Sequence, residues 1–448
     1  MTEVTRELAR FAVQFPAGDV PAAARHETTR AFMHWIGCAL GGCRQDAIVR
    51  AMDAVKPFFG PAQASLLGRI ERADALHAAL LNGMSSNVLG FNDTHLDTVI
   101  HPTECVAAAL LALAEWQPVH GAAFLHALTI GIEVECRIGR AIYPDHYEAG
   151  WHITGTAGIF GAAAAAGRLL GLDEQRMAWA LGIAATQAAG LRDTFGTMSK
   201  CLNPGRAAQN GLTAAVLARA GFTSSERALE APRGFAHVLS TKQDFAAITD
   251  GLGARFEIMQ NTYKPYPSGI VIHPSIEACL RLHDTQRIDP DRISRVVLRV
   301  HPLVLELTGR RDPGNTLEAK LSVFHSAAAA LTFGKLAERE YADSVVRDPA
   351  LIRLRDRIEA EPDAAVAKDE AYATVWIDGA EPCSVHVEHA TGSRTRPMSD
   401  GDLERKFRGL AEAVLTPAEI TTLIDKCWTL ATLADAGGIA RAAVPAAG

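Results

Sequence analysis

Apolar residues recur at helical spacing through most of the first 260 residues. Apolar side chains stand three or four positions apart, a period typical of helices, in segments 23–42, 72–90, 102–116, 121–142, 173–191 and 205–222. The segment 156–172 is rich in alanine, glycine and leucine, but it is too short to span a bilayer and Arg168 interrupts it, so it predicts a buried helix with close packing. Pro102 and Asp173 are residues that commonly begin helices. The pattern predicts an all-helical region up to about residue 262.

The pattern changes after residue 262. The segment 292–301 is β-branched and partly alternating, and segments 371–379 and 383–392 alternate on either side of a short turn, which predicts a hairpin. Helical spacing is present between them, at 320–338 and 348–360. It returns from residue 399, where Ser399 and Asp402 have the spacing of a capping box.

These patterns predict two domains, and the chain length of 448 residues agrees with more than one hydrophobic core. The expected fold is an all-helical domain, 1–262 and 403–448, discontinuous in sequence because an α+β domain, 263–402, interrupts it.

Composition and charge narrow the class of protein. The chain is 48% hydrophobic and 21% charged, with a net charge of −7. The basic surface of a nucleic-acid binder is absent, and no run of basic residues indicates binding to an anionic membrane. The N-terminus lacks the features of a signal peptide, and the eight cysteines are irregularly spaced. We therefore expect reduced thiols and a cytoplasmic protein.

A cluster of titratable residues lies between predicted helices in NDTHLDTVIHP, residues 92–102. Asp93, His95, Asp97 and His101 are residue types that bind metals, but no recognised ligand spacing is present. The same residues suit acid/base chemistry, or a polar loop whose aspartates cap helices. The segment by itself leaves these three alternatives open.

Three other segments carry candidate groups. His152 stands at the start of the small-residue helix, where a structural histidine, on the surface or in the core, is the simpler interpretation. Lys200 and Arg206 flank Asn203-Pro204-Gly205, interpreted as a turn before a helix, and cations at a helix N-terminus favour a carboxylate or phosphate. Lys264 lies in a proline-rich segment at the predicted domain boundary, where a stiff hinge is the alternative. No nucleotide-binding motif and no nucleophile-elbow motif occurs.

Taken in order, five segments resemble the MmgE/PrpD family, which includes 2-methylcitrate dehydratase, cis-aconitate decarboxylase and iminodisuccinate epimerase. The segments are NDTHLDTVIHP, GWHITGTAGIFGAAAAAGRLLGL, MSKCLNPGRAAQNGLTAAVLARAGF, YKPYPSGIVIHPSIEA and PMSDGDLERKFRGLA. The resemblance implies a two-domain homodimer that requires no metal and no organic cofactor.

The resemblance also implies a set of site residues. The catalytic candidates are Asp93, His101, His152, Lys200 and Lys264. The candidates for substrate binding are Arg206, Tyr266, His325 and Thr94. This chain departs from the family pattern at Asn92, where a second acid is frequent, at Asn203, where a histidine is common, and at His325, where a tyrosine is often found.

The implied chemistry forms a carbanion next to a carboxylate of a small di- or tricarboxylate. Lys200 and Lys264 would hold carboxylates and stabilise the developing charge, with Arg206 as a weaker helper. His101 and His152 would transfer protons, with Asp93 orienting one of them and Tyr266 or His325 as a further donor. A lyase is the expected outcome and an epimerase the alternative. A metal-dependent hydrolase and a non-catalytic helical binding protein are the other hypotheses.

Overall fold

The computed structural model describes residues 3–286 and 289–446. The chain divides into two compact units. The first comprises Met1–Asn261 and Ser399–Gly448, and the second comprises Thr262–Met398. None of the helices within the described residues combines the length and the apolarity needed to cross a membrane.

The first unit is built almost entirely of helices. They are Val4–Gln14, Ala22–Gly42, Asp46–Val55, Ala75–Asn87, Pro102–Trp116, Gly121–Ile142, Asp145–Glu148, Ile153–Leu169, Glu174–Ala185, Ser199–Arg219, Phe235–Leu239, Ala246–Thr249, Asp400–Ala411, Pro417–Trp428 and Gly437–Ala442. Strands Ala64–Ser65 and Arg72–Ala73 form a small antiparallel pair, and Asp93–His95 is a further short strand. The helices predicted at 102–116 and 121–142 are confirmed at both ends.

The small-residue segment forms the buried helix Ile153–Leu169, as predicted. A Cβ placed on Gly161 would lie 2.7 Å from the Gly131 carbonyl oxygen, and one placed on Gly131 would lie 2.7 Å from the Gly161 carbonyl oxygen. The two helices therefore touch backbone to backbone, which only residues without a side chain permit.

The predicted turn at Asn203-Pro204-Gly205 is wrong, because the helix Ser199–Arg219 runs through it. Pro204 has no N–H, so the Lys200 carbonyl four residues earlier lacks its helical donor. The side chain of Asn203 replaces that donor, with its Nδ2 3.2 Å from the Lys200 carbonyl oxygen. A local side-chain bond thus lets the helix continue.

The helix predicted at 173–191 begins as expected and ends early. Asp173 caps it by accepting from the Arg176 N–H at 2.8 Å. The helix Glu174–Ala185 then stops, and Gly190 has φ +140°, a conformation open to glycine. The Gly190 carbonyl accepts from the His152 N–H, so this segment pairs with another part of the chain instead of extending the helix.

The second unit contains a four-stranded sheet packed with helices. The strand order is Ile358–Pro362, Ile293–Val300, Ala371–Ile377, Cys383–Val387. The helices are His273–Gln286, Pro302–Thr308, Thr316–Ala319, Val323–Phe333, Asp343–Val346 and Pro349–Asp356. The predicted hairpin is confirmed, with Ala371 opposite Val387 and Val375 opposite Cys383.

The prediction of a helix over 348–360 is wrong at its C-terminal end. The helix Pro349–Asp356 stops, and the strand Ile358–Pro362 pairs in parallel with Ile293–Val300. Ile358 is fully buried opposite Val296. A distant strand supplies the partner, so local spacing carries no signal for this short edge strand.

The helix Asp400–Ala411 begins with the predicted capping box. The Ser399 N–H donates to Asp402 Oδ2 at 2.8 Å, and the Asp402 N–H donates to Ser399 Oγ at 3.2 Å. This helix packs closely on Ala22–Gly42, because a Cβ on Gly37 would lie 3.0 Å from Phe407 Cδ2.

Candidate active site

The loop that follows the strand Asp93–His95 is folded back on itself. The His95 N–H donates to the Ile100 carbonyl at 2.8 Å. Between them, Val99 has φ +55°, a conformation that costs a β-branched residue roughly 1–3 kcal/mol. The fold of the loop brings Asp93 next to His101.

Asp93 is buried and its carboxylate is fixed by two donors. Oδ2 accepts from Thr103 Oγ1 at 2.5 Å and from Asn261 Nδ2 at 2.8 Å. Burial raises the pKa of Asp93, and the hydrogen bonds from Thr103 and Asn261 oppose that rise. The carboxylate therefore has a single orientation.

The tautomer of His101 follows from its partners. Nδ1 lies 2.7 Å from the Asp93 carbonyl oxygen and 3.2 Å from Thr94 Oγ1. A carbonyl can only accept, so Nδ1 carries the proton and Nε2 is the basic nitrogen of the neutral ring. His101 also precedes the helix Pro102–Trp116, and the positive end of a helix disfavours a charged imidazolium. The backbone N–H of His101 donates to Thr154 Oγ1 at 3.1 Å.

His152 has the opposite tautomer. It is the N-cap of the helix Ile153–Leu169, and its Nδ1 accepts from the Gly155 N–H at 3.2 Å. The proton of the neutral ring is therefore on Nε2. Burial, together with the charges of Lys200 and Arg192, lowers the pKa of His152 to about 3. His152 is thus a neutral hydrogen-bond donor.

Lys200 is the cation of this group, and a buried polar chain holds it. Its Nζ donates to Asn87 Oδ1 at 3.1 Å. The Nδ2 of Asn87 lies 3.1 Å and 2.8 Å from the two carboxylate oxygens of Glu104. The helices that carry Asn87 and Lys200 approach closely, because a Cβ on Gly83 would lie 3.0 Å from the Gly205 Cα.

Glu104 and Glu135 were not identified from the sequence. Burial, together with the charge of Asp93, raises the pKa of Glu104 to about 8 despite the opposing charge of Lys200. Burial also raises the pKa of Glu135 far above its ordinary value, and among the described residues neither of its carboxyl oxygens has a hydrogen-bond partner. The available signal was an acid inside an otherwise apolar helix, as in PTECVAAALLALAEW for Glu104.

The other titratable residues of the loop have different surroundings. His95 is buried, with Nδ1 2.8 Å from Thr98 Oγ1 and Nε2 3.0 Å from Glu257 Oε2. Burial alone would raise the pKa of Glu257, but His95 and Arg140 bring it down to about 2. Asp97 is exposed. Both ring nitrogens of His95 are therefore engaged in holding the loop, and residues 3–286 and 289–446 contain no group of three or more His, Cys, Asp or Glu placed to hold a metal.

Arg206 does not join Lys200. It is exposed on the helix Ser199–Arg219, and its Nη1 donates to Gln209 Oε1 at 2.6 Å on the same helix. Six residues separate Arg206 from Lys200, so the two side chains leave the helix on different faces.

The second unit holds Lys264 and Tyr266 in the segment before the helix His273–Gln286. Lys264 is buried, and the ring of Tyr266 lies 5.4 Å from that of His273 in a perpendicular arrangement. Burial raises the pKa of Tyr266 well above its usual range. His273 is buried at the start of this helix, and it is a candidate that the sequence analysis passed over.

His325 lies in the hydrophobic core of the second unit. It is fully buried in the helix Val323–Phe333, and its Nε2 donates to the Glu340 carbonyl at 3.1 Å. Burial lowers the pKa of His325 to about 4. These surroundings are those of a structural histidine, so the geometry gives no support to its expected role in substrate binding.

Two family models match the chain. The MmgE/PrpD N-terminal domain matches residues 6–248, and the MmgE/PrpD C-terminal domain matches residues 266–430. Together they cover most of the sequence, including every candidate residue above except Lys264.

Curated relatives resemble the chain over most of its length. The cis-aconitate decarboxylase-like protein oryM of Aspergillus oryzae is 26% identical, covering 96% of this chain and 95% of its own. Human cis-aconitate decarboxylase is 29% identical, covering 81% of this chain and 78% of its own. The 2-methylcitrate dehydratase of Cupriavidus necator is 24% identical, covering 84% of each chain.

Proposed function

Because the chain belongs to the MmgE/PrpD family, we propose that it is a lyase acting next to a carboxylate of a small di- or tricarboxylate, without a cofactor. The observation that carries the proposal is a pair of histidines, His101 and His152, whose Nδ1 atoms face a carbonyl and an N–H respectively, in the unit that holds Lys200. One histidine presents a basic nitrogen and the other presents an N–H donor. A base and a hydrogen-bond donor are the two kinds of group that acid/base chemistry next to a carboxylate uses.

The cation supplies charge stabilisation. A carbanion next to a carboxylate becomes accessible when its charge is stabilised as it forms. The Lys200 ammonium is fixed by Asn87 and would bind that carboxylate. The family resemblance also assigns Lys264 to carboxylate binding.

Two outcomes are consistent with these groups. In a hydro-lyase, Nε2 of His101 takes the α-proton and passes it to the departing hydroxyl, while the Nε2–H of His152 donates a hydrogen bond to that hydroxyl. In a carboxy-lyase, CO₂ leaves, its bonding electron pair remains on the carbon, and a histidine that has taken a proton from solvent donates it to that carbon. The two relatives whose names include cis-aconitate decarboxylase are 26% and 29% identical to this chain, and each alignment covers more than three quarters of both sequences. They favour cis-aconitate as the first substrate to test, and the dehydratase relative favours 2-methylcitrate as the second.

Proton NMR of the purified protein in D₂O distinguishes the outcomes. Cis-aconitate, 2-methylcitrate and a panel of chiral dicarboxylates are incubated separately, and heat-treated protein is the control. We expect either release of CO₂ with a deuterium-labelled product, or loss of water. Epimerisation alone would replace the lyase with the alternative reaction. Absence of any conversion or solvent exchange across the panel would contradict the proposal.

A further inference from the structure

Lys406 has no part in the chemistry described above, although it lies in the segment PMSDGDLERKFRGLA that contributes to the family resemblance. It is carried by the helix Asp400–Ala411, more than 300 residues from the candidate catalytic loop. Its Nζ lies 2.6 Å from the Phe91 carbonyl oxygen and 2.7 Å from His34 Nε2. The same nitrogen lies 3.7 Å from the centroid of the Phe91 ring.

Close helix packing brings the lysine to this position. A Cβ on Gly37 would lie 3.0 Å from Phe407 Cδ2, and one on Gly41 would lie 2.7 Å from Leu410 Cδ2, so the two helices pack closely. On the same helix, Cys38 lies one turn beyond His34, with its Sγ 3.4 Å from the Phe91 carbonyl oxygen. The Phe91 carbonyl thus accepts from two different helices.

Phe91 is two residues before Asp93, whose carbonyl accepts the Nδ1 proton of His101. We propose that Lys406 is a positioning residue for the catalytic loop, because its hold on the Phe91 carbonyl fixes the Asp93 backbone that orients the His101 ring. The consequence for turnover rests on the proposed function, whereas the consequence for loop order does not.

The charges near Asp93 act in the same direction. Burial lowers the pKa of Lys406 to about 8, and the charge of Asp93 opposes that fall. The charge of Lys406 likewise opposes the rise that burial causes in the pKa of Asp93. The charge of Asp93 also raises the pKa of the nearby acids Glu104 and Glu135. Loss of the Lys406 charge would leave this group of carboxyls without that cation.

The test compares Lys406→Met with Arg405→Met. Arg405 is an exposed neighbour on the same helix, and it pairs with Asp402. Hydrogen exchange followed by mass spectrometry reports on loop order, and steady-state kinetics report on kcat and KM. We expect Lys406→Met to raise exchange in the peptide covering 91–101 and to lower kcat by roughly 10- to 100-fold, with KM changed much less, as for a misplaced catalytic group. Lys406→Arg keeps the charge and the donors, and should recover part of kcat. Arg405→Met should match wild type in both measurements.

The possible outcomes separate the role of Lys406 from the proposed function. A folded Lys406→Met variant with wild-type kcat overturns the proposal, whether or not exchange increases, since the lysine would then be structural only. Unchanged exchange in 91–101 overturns it as well. If Lys406→Met does not fold, Lys406→Arg is the variant that tests the proposal. A folded Lys406→Arg protein in which residues 91–101 exchange faster than in wild type would contradict the proposed hold on the Phe91 carbonyl. A wild-type enzyme that turns over no tested substrate contradicts the proposed function, and the exchange comparison still decides the role of Lys406.

Discussion

At the scale of residues, the two histidines differ because their Nδ1 atoms face opposite kinds of backbone group. A carbonyl faces Nδ1 of His101, and an N–H faces Nδ1 of His152. Since a ring nitrogen must complement its partner, each contact fixes the nitrogen that remains for chemistry. Backbone contacts, and not the side chains of other titratable residues, therefore assign base and donor.

This assignment predicts different effects for two histidines of the same loop. His101→Asn should lower kcat by about 10²–10⁴-fold, the usual cost of losing a general base, and should leave the free energy of unfolding nearly unchanged. His95→Asn removes the buried partner of Glu257, so it should lower the free energy of unfolding by about 1–3 kcal/mol with a smaller effect on kcat. Kinetics and urea unfolding of both variants check the contrast. Equal losses of kcat in the two would show that the loop serves only as a structural cap.

The chain from Glu104 through Asn87 to Lys200 gives a second prediction. Asn87→Leu removes the acceptor of Lys200 and the donor to Glu104 at similar side-chain volume. We expect kcat/KM to fall by roughly 10- to 100-fold, because the ammonium loses its fixed position. Ser85→Ala is the matched control, since Ser85 is buried on the same helix and donates to the Leu81 carbonyl of that helix. A similar loss in both variants would indicate a packing effect on the helix Ala75–Asn87.

The sequence identified residue types at the site better than it identified their surroundings. Asp93, His101, His152 and Lys200 all lie in the first unit, as a cluster of titratable groups between helices indicates. Glu104 escaped notice because its importance depends on Asn87, which packing brings next to it from another helix. Arg206 is a cation, as its predicted role requires, but it pairs with Gln209 on a different face of the helix from Lys200.

At the scale of elements, apolar spacing predicted helices well where the helix is buried along most of its length. It failed where an element depends on a hydrogen-bonding partner that the spacing does not show. Pro102–Trp116 and Gly121–Ile142 are buried along most of their length, so their boundaries follow from the sequence. The strand Ile358–Pro362 depends on pairing with a strand some sixty residues earlier, which no local pattern encodes. The helix Ser199–Arg219 continues past Pro204 because the Asn203 side chain donates to the Lys200 carbonyl in place of the missing proline N–H.

The replacement of the missing Pro204 N–H by the Asn203 side chain predicts an energetic coupling between these two residues. Asn203→Ala leaves the Lys200 carbonyl without its donor, and should lower the free energy of unfolding by about 0.5–1.5 kcal/mol. Pro204→Ala restores the missing backbone N–H, so Asn203→Ala should cost less in that background. Urea unfolding of the two single variants and the double variant forms a double-mutant cycle. Strict additivity would mean that the Asn203 side chain does not replace the proline N–H.

At the scale of the whole molecule, burial favours the neutral forms of several titratable groups. Burial lowers the pKa of His146 to about 4, as it lowers that of His152 to about 3. Burial raises the pKa of Glu133 to about 7 and that of Glu104 to about 8. An unfolded chain would return these groups to about 6.5 for histidine and about 4.3 for glutamate. Folding is therefore linked to pH from two directions.

The two linkages predict a stability maximum between about pH 4.5 and 6.5, where they offset each other. Below this range the unfolded chain binds protons that buried His146 and His152 refuse, so stability should fall as the pH drops through about 4 and 3. Above it the unfolded glutamates have released protons that Glu104 and Glu133 retain when folded, so their contribution to stability is lost as the pH rises through about 7 and 8. Calorimetric Tm values from pH 3 to 9 should show decreases on both sides. Glu104→Gln removes the contribution of Glu104, because a glutamine side chain does not titrate. This variant should show a flatter decrease of Tm between pH 6 and 9. Glu361→Gln, at an exposed position, should leave the profile unchanged. An alkaline branch with the same slope in Glu104→Gln and in wild type would show that Glu104 is ionised in the folded protein, and that Lys200 compensates its charge through Asn87.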